Sequence, residues 1–227
     1  MPIEFSSEVA RRGFLFRLSQ AAAGLTAFVA GAARADVGAR SADLVAADDP
    51  DAWMNRLTGQ NKVMIHVHQY LMTGLVDART MLANARDLYG VPEDQYSIAV
   101  VTHGPAIQGL FRDEVWQRFS LGAFYRVNDP RTGAPATRNV YLTAQDGEPA
   151  DAAVSDLMKR SVTFVVCNVA LKNLAKRLAR EGTTPDAVHA ELAAGLVPGA
   201  FLVPDVFVSM QRAQKRGVAY VFTDRSR

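Results

Sequence analysis

Short apolar segments alternate with amphipathic segments along most of this chain. The segments that predict strands are residues 62–68, 96–102, 162–166, 201–203 and 218–222. Apolar residues at helical spacing predict helices at residues 73–89, 106–116, 150–159, 169–180, 184–194 and 205–215. Strands that alternate with helices are typical of a parallel sheet with helices on its faces. The pattern therefore predicts a single α/β domain with about five mostly parallel strands, spanning residues 61–227.

Residues 119–149 interrupt this alternation and predict an insertion at the rim of the sheet. The segment is rich in turn signals, and only residues 139–143 have the composition of a short strand. An aromatic cluster leads into it, formed by Phe111, Trp116, Phe119, Leu121, Phe124 and Tyr125. Such a cluster fits either a contact between subunits or a lid folded over the edge of the sheet.

The amino terminus has the pattern of an export signal. Arg11 and Arg12 precede a charge-free run at residues 18–33, and Ala33-Arg34-Ala35 supplies the small residues of a cleavage site. We therefore predict a twin-arginine signal peptide at residues 1–35, cleavage before Asp36, and a periplasmic protein without stable membrane insertion after cleavage. Ordinary secretory export and a retained anchor are the alternatives. The composition of residues 36–60 predicts a linker with one short helix.

The charge and the cysteine content limit the functions that the protein can have. Without the predicted leader the chain has 21 basic and 21 acidic residues, so it lacks the basic excess of a nucleic-acid-binding protein. Its one cysteine, Cys167, cannot form a disulfide within the chain. This residue is either a buried small side chain or a reactive thiol.

Three predicted strands end in chemically active side chains. His68, His103 and Cys167 stand at the carboxyl ends of the first three strands, and in a parallel sheet such ends share one edge where ligands bind. A histidine beside a cysteine promotes the thiolate that nucleophilic or sulfur-transfer chemistry requires. We therefore take Cys167, His103 and His68 as the candidate catalytic residues.

Other chemistries have weaker support. His66 and His68 lie on one face of a strand and, with His103 and Cys167, form an alternative donor set for a metal ion, although no metal or cofactor is expected. The nucleotide, serine-hydrolase and dithiol motifs G-x-G-x-x-G, G-x-S-x-G and C-x-x-C are absent from the sequence. His189, in a polar helix, is interpreted as an ordinary surface residue.

Four motifs in order resemble the DsrE/DsrF-like family. They are VVTHGPAI at residues 100–107, VTFVVCN at 162–168, LVPGAFLVP at 196–204 and QKRGVAYV at 214–221. The resemblance implies a flavodoxin-like three-layer sandwich, assembly as a homotrimer or hexamer, and a persulfide-carrying cysteine at the position of Cys167. It implies sulfur handling, with a sulfur-donor or sulfur-acceptor protein as partner. The alternative is a non-catalytic periplasmic module of the same fold that binds a ligand or a partner.

Overall fold

The computed structural model describes residues 49–144 and 149–223. The predicted signal peptide and residues 36–48 of the predicted linker lie outside them. Export and cleavage therefore stay predictions. Within the described residues, no helix is both long and apolar enough to cross a membrane.

A five-stranded parallel sheet forms the centre of the fold. Its strands are β1 (Asn61–Val67), β2 (Tyr96–Thr102), β3 (Thr163–Cys167), β4 (Phe201–Val203) and β5 (Ala219–Thr223). They lie in the order β4-β3-β2-β1-β5, and every neighbouring pair is parallel. The five strands and their direction confirm the sequence prediction. Flavodoxin itself has the order 2-1-3-4-5, so the likeness lies in the layers rather than in the strand order.

Helices connect the strands and cover both faces of the sheet. They are α1 (Leu71–Tyr89), α2 (Asp113–Arg118), α3 (Leu121–Tyr125), α4 (Val154–Lys159), α5 (Asn168–Leu178), α6 (Pro185–Ala194) and α7 (Val206–Lys215). Short 3₁₀ helices span Ala52–Arg56, Glu93–Gln95 and Gly104–Leu110. The prediction of one helix at residues 106–116 is wrong. Phe111 has an extended backbone and pairs with Leu196, which separates the 3₁₀ helix from α2.

The two faces of the sheet bury different cores. Alternate residues of β1, such as Val63 and Ile65, enter a large core that contains the buried faces of α1, α4, α5 and α6. Met64, on the opposite face, enters a smaller core with Trp53 of the first 3₁₀ helix and Met210 of α7. The predicted three-layer α/β sandwich is therefore confirmed, with a thick helical layer on one face and a thin one on the other.

The buried carboxylate of Asp51 holds together the parts of the thin helical layer. Asp51 is 2% exposed and accepts hydrogen bonds from Arg212 at 2.8 Å and from Arg216 at 2.6 Å, both at the carboxyl-terminal end of α7. These bonds attach the segment that precedes β1 to the last helix. The hydrogen bond from Arg212 is the main reason that the pKa of Asp51 lies below its ordinary value.

The amide side chain of Asn139 helps to attach the insertion to the domain, at a place where the sequence predicts a strand. The prediction of a strand at residues 139–143 is wrong, because Asn139 is 2% exposed and directs a turn. Its Nδ2 donates to the carbonyl oxygens of Gly109 at 2.9 Å and Phe111 at 2.6 Å. Its Oδ1 accepts from the backbone amide of Tyr141 at 2.9 Å.

The aromatic cluster at the start of the insertion packs into the protein's own large core. Phe111, Trp116 and Leu121 are fully buried, and the indole N–H of Trp116 donates to the carbonyl oxygen of Gln108 at 3.0 Å. The other members, Phe119, Phe124 and Tyr125, are half-buried against the same core. This arrangement corresponds to the alternative of a folded lid, and a contact of this segment with another subunit stays a prediction. Assembly into an oligomer stays a prediction.

Candidate functional site

The carboxyl ends of three adjacent strands meet at one pocket. β1, β2 and β3 are neighbours in the sheet, and they lead to His68, His103 and Cys167 respectively. All three residues line a cavity of about 350 Å³. The structure therefore brings together the three residues that the sequence singled out. Their chemical roles stay predictions.

Cys167 lies at the boundary between the smaller core and this pocket. It is the last residue of β3, it immediately precedes α5, and it is 3% exposed. Its neighbours in the core include Val101 and Val165. The hydroxyl of Thr102 donates to the carbonyl oxygen of Val165 at 2.9 Å and so ties β2 to β3 just before the thiol. The thiol is thus held at the end of a buried strand and lines the pocket.

His103 lies between two other histidines. Its ring centroid is 4.7 Å from that of His66 and 4.3 Å from that of His68. The Nδ1 atom of His103 and the Nε2 atom of His66 are 2.8 Å apart, which is a hydrogen-bond distance. The other ring nitrogen of His66, Nδ1, is 2.9 Å from the hydroxyl oxygen of Tyr220 on β5. His66 is 5% exposed, so both of its ring nitrogens are hydrogen-bonded inside the protein.

His68 packs against a glycine whose backbone requires the absence of a side chain. Gly104 has φ of +58°, and a Cβ atom built on it would lie only 2.4 Å from Nδ1 of His68. The left-handed conformation and the close ring both favour glycine at this position. Nδ1 of His68 is buried and has no hydrogen-bond partner among the described residues. A polar atom of this kind at a pocket wall is suited to a ligand.

The pocket walls carry both charges and apolar surface. One face of α5 contributes Asn173 and Arg177, and the start of α7 contributes Asp205 and Phe207. The guanidinium of Arg177 lies 4.7 Å from the ring centroid of Phe124. Asp205 caps α7, since its Oδ1 accepts from the amide of Phe207 at 2.8 Å. The remaining wall residues are Gly104, Pro105, Tyr125, Val169, Ala170 and Leu174.

Tyr125 closes the pocket on the insertion side. Burial raises the pKa of its hydroxyl to about 12, and the nearby charge of Arg177 acts weakly in the opposite direction. The phenol therefore stays neutral at physiological pH. It contributes a hydrogen-bonding group to the pocket and no negative charge.

His189 supports the segment that carries the thiol, and its interpretation as an ordinary surface residue is wrong. Its ring is half-buried, and its Nε2–H donates to the side-chain oxygen of Asn168 at 2.6 Å. Burial lowers the pKa of His189, the charge of Lys172 lowers it further, and Asp186 opposes both. A neutral His189 thus binds the residue directly after Cys167 and links α6 to the start of α5.

The metal alternative gains no support from this geometry. Among residues 49–144 and 149–223 no group of three or more histidine, cysteine, aspartate or glutamate side chains has an arrangement that could hold a metal ion. His66, a member of the proposed donor set, has both ring nitrogens within hydrogen-bond distance of protein side chains.

Several site residues were missed at the level of sequence. Tyr220 reaches His66 because β5, which comes after β1 to β4 in the sequence, lies directly beside β1. Phe207 reaches the histidines because α7 crosses the thin face of the sheet. Arg177 shares its helix with Lys172 and Lys176, and such a run of basic side chains is typical of a solvated face. No local sequence signal carries this information, because it depends on strand order and on the face that each helix covers.

Comparison with known proteins identifies no function. No protein-family model matches the chain, and no curated protein matches its sequence. A solved structure that matches is MTH1491, a protein of unknown function from Methanobacterium thermoautotrophicum. The two share 17% sequence identity with a TM-score of 0.38, and the match covers 72% of this chain and 99% of the other.

Proposed function

We propose that this protein handles sulfane sulfur and that Cys167 carries the sulfur as a persulfide. The observation that supports the proposal is the shared pocket, in which the only cysteine of the chain meets His68 and His103 at the ends of three adjacent strands. The resemblance to the DsrE/DsrF-like family suggests the same role for this cysteine. On this proposal the predicted export signal makes the protein periplasmic, and its partner is a sulfur donor or acceptor.

The proposed reaction is a transfer of one sulfur atom. With thiosulfate as donor, the Cys167 thiolate attacks the outer, sulfane sulfur. A new S–S bond forms at the cysteine, the S–S bond of thiosulfate breaks, and sulfite leaves with the electron pair. The products are a cysteine persulfide and sulfite, and no external oxidant or reductant is needed.

The surroundings of Cys167 include positive charge that suits an anionic sulfur donor. The thiol stands at the amino-terminal end of α5, where the helix dipole presents partial positive charge. Arg177 adds a full positive charge to the same pocket, whereas Asp205 adds a negative one. A cavity of about 350 Å³ has room for a second sulfur atom and for a small anion. His68 and His103 are the candidates for accepting the thiol proton.

Sulfur loading tests the proposal directly. We expect full-length protein incubated with thiosulfate or polysulfide to gain one sulfur atom on the peptide that contains Cys167, as measured by mass spectrometry. Cys167→Ser should gain none. A thiol that stays unmodified in the folded protein while urea-denatured protein reacts would show that Cys167 is only a buried core residue.

Non-covalent binding in the same pocket is the second candidate function. It is favoured by the low exposure of Cys167 and by a wall that offers Asn173, Arg177 and the buried Nδ1 of His68. Isothermal titration and sulfur loading of both the wild type and Cys167→Ser with thiosulfate separate the two candidates. A binding module binds the anion equally well in both proteins and loads no sulfur in the wild type, whereas a sulfur carrier loads sulfur in the wild type and none in Cys167→Ser.

A further inference from the structure

A chain of hydrogen bonds leads from the edge of the sheet to the pocket. At its outer end is Tyr220 on β5, which is 42% exposed. Its hydroxyl oxygen is 2.9 Å from Nδ1 of His66, and Nε2 of His66 is 2.8 Å from Nδ1 of His103. His103 lines the pocket together with Cys167. We refer to these three residues as the Tyr220–His66–His103 chain.

Two aromatic rings shield the middle of this chain. The ring of Phe207 is edge-on to His66, with centroids 5.8 Å apart, and to His103, with centroids 5.0 Å apart. The ring of Phe222 lies 5.3 Å from that of His66 on the β5 side. Because His66 is only 5% exposed, its ring nitrogens communicate with their surroundings mainly through hydrogen bonds.

The contact between the two imidazoles restricts their protonation. A hydrogen bond between Nε2 of His66 and Nδ1 of His103 holds one hydrogen, because two N–H groups cannot face each other at 2.8 Å. The pair therefore carries at most one positive charge, and the two rings titrate as one coupled unit. In the neutral pair, one further proton resides either on the Tyr220 side of His66 or on Nε2 of His103. The orientation of the Tyr220 hydroxyl is thus linked to the protonation of His103.

We infer that the Tyr220–His66–His103 chain conducts a proton between the pocket and the solvent at the edge of β5, with Tyr220 as a positioning residue for the thiol chemistry of Cys167. This inference rests on the proposed function. It gives the pocket a second route for protons, which stays available when a sulfur donor occupies the pocket opening.

The proton transfer keeps the number of protons in the chain constant. A proton released in the pocket binds Nε2 of His103, and the proton on Nδ1 of His103 moves to Nε2 of His66. The proton on Nδ1 of His66 then moves to the oxygen of Tyr220, whose own proton passes to water. One proton enters and one leaves. The transfer leaves both imidazoles in their other tautomer. The same steps in reverse return a proton from the solvent to the pocket when Cys167 gives up its sulfur and becomes a thiol again.

Charged and titratable groups of several elements face the pocket end of the chain. They are His68 after β1, Tyr125 on α3, Cys167 on β3, Arg177 on α5 and Asp205 before α7. Arg177 and Asp205 carry opposite charges, and Tyr125 stays neutral because its pKa is raised to about 12. A pH profile measured in the physiological range therefore reports on the histidines and the thiol.

Tyr220→Phe in the full-length protein tests the inference, because it removes the hydroxyl and keeps the ring. We expect the ¹⁵N shifts of the His103 ring to change in a long-range ¹H–¹⁵N experiment, although the hydroxyl contacts His66 and not His103. The control is Phe222→Leu, which alters a neighbouring ring of His66 that has no hydroxyl. It should leave the His103 shifts unchanged. A response confined to His66, or an equal response in both variants, would overturn the inference.

The rate of Cys167 alkylation by iodoacetamide gives a functional measurement that needs no sulfur donor. We expect Tyr220→Phe to slow alkylation at neutral pH by about threefold to tenfold, below the ~10²-fold contribution of a directly positioned base. An alkylation profile identical to the wild type would refute the role of Tyr220. Sulfur loading by thiosulfate is measured separately. Its absence in the wild type would reject the proposed function. The ring shifts would still decide whether the Tyr220–His66–His103 chain exists.

Discussion

Gly104 is the residue on which the position of the His68 ring depends. Its φ is +58°, and a Cβ atom built on it would lie 2.4 Å from the His68 ring. A methyl group added at this position would therefore have two effects. One is strain of the backbone, and the other is displacement of His68. A comparison with Gly133 separates the two effects, because Gly133 has φ of +69° and a Cβ atom built on it would have nothing within 4 Å.

We expect Gly104→Ala and Gly133→Ala to lose similar stability from the left-handed backbone, about 1–2 kcal/mol each by chemical denaturation. Only Gly104→Ala should shift the ring resonances of His68 and slow the reaction of Cys167. If both variants leave His68 unchanged, then the glycine is needed for its backbone conformation alone.

The site residues differ in how far the sequence could predict them. Cys167, His68 and His103 were predictable because each follows an apolar strand, and the carboxyl ends of parallel strands share an edge. Tyr220 and Phe207 were not, because their positions depend on where β5 and α7 are placed relative to β1. The interpretation of His189 as a surface residue is wrong because it rests on the polar helix around it. The hydrogen bond to Asn168 arises only when α6 packs beside α5.

At the scale of elements, Asp51 joins the first 3₁₀ helix to α7. The carboxylate is almost fully buried, whereas the side chains of Arg212 and Arg216 are about half exposed. Removal of a buried partner costs several kcal/mol, but solvent screens the exposed arginines and reduces this cost. The ion pairs therefore contribute moderately to the attachment of the thin layer.

Asp51→Asn should lower the free energy of unfolding by about 2 kcal/mol at pH 7. The pKa of Asp51 is lower in the folded protein than its ordinary value of 3.8, so this stabilisation is complete above that value and is lost as the pH falls through the folded pKa. Urea denaturation across pH 7 to pH 3 should show the two proteins converging at the acidic end. Asp87→Asn is the control, since Asp87 pairs with its neighbour Arg86 on an exposed surface and should change stability little at any pH. A difference between Asp51→Asn and the wild type that stays constant down to pH 3 would contradict the assigned ion pairs.

Several element boundaries were predictable from the local pattern of apolar and polar residues. β2 and β4 have the predicted bounds, and α1 extends the predicted helix by two residues at its start. The helix predicted at residues 106–116 failed because Phe111 takes an extended conformation to pair with Leu196, a tertiary contact that overrides local spacing. The strand predicted at residues 139–143 failed because three hydrogen bonds of Asn139 fix a turn.

At the scale of the whole molecule, the insertion contributes Leu121, Val140 and Tyr141 to the large core, and the aromatic cluster that leads into it contains Trp116. Trp116 is fully buried, and we expect Trp116→Ala to reduce the free energy of unfolding by about 3–5 kcal/mol. Tyr89→Ala, at a tyrosine that is 79% exposed, should change it by less than about 0.5 kcal/mol. Light scattering on the same proteins tests the predicted trimer or hexamer. If Trp116→Ala changes the assembled mass and leaves unfolding unaltered, the aromatic cluster is a subunit contact after all.

The position of β5 also determines the order in which the fold can form. Strands β1 to β4 are laid side by side in the order of the sequence, so they can assemble progressively as the chain leaves the ribosome. β5 emerges after all of them and must pair with β1, as in the register that joins Val63 to Ala219. Such a distant pairing raises the contact order and slows folding. The three residues that meet in the pocket can therefore be in place before Tyr220 arrives, and the outer edge of β1 stays open until the final folding step.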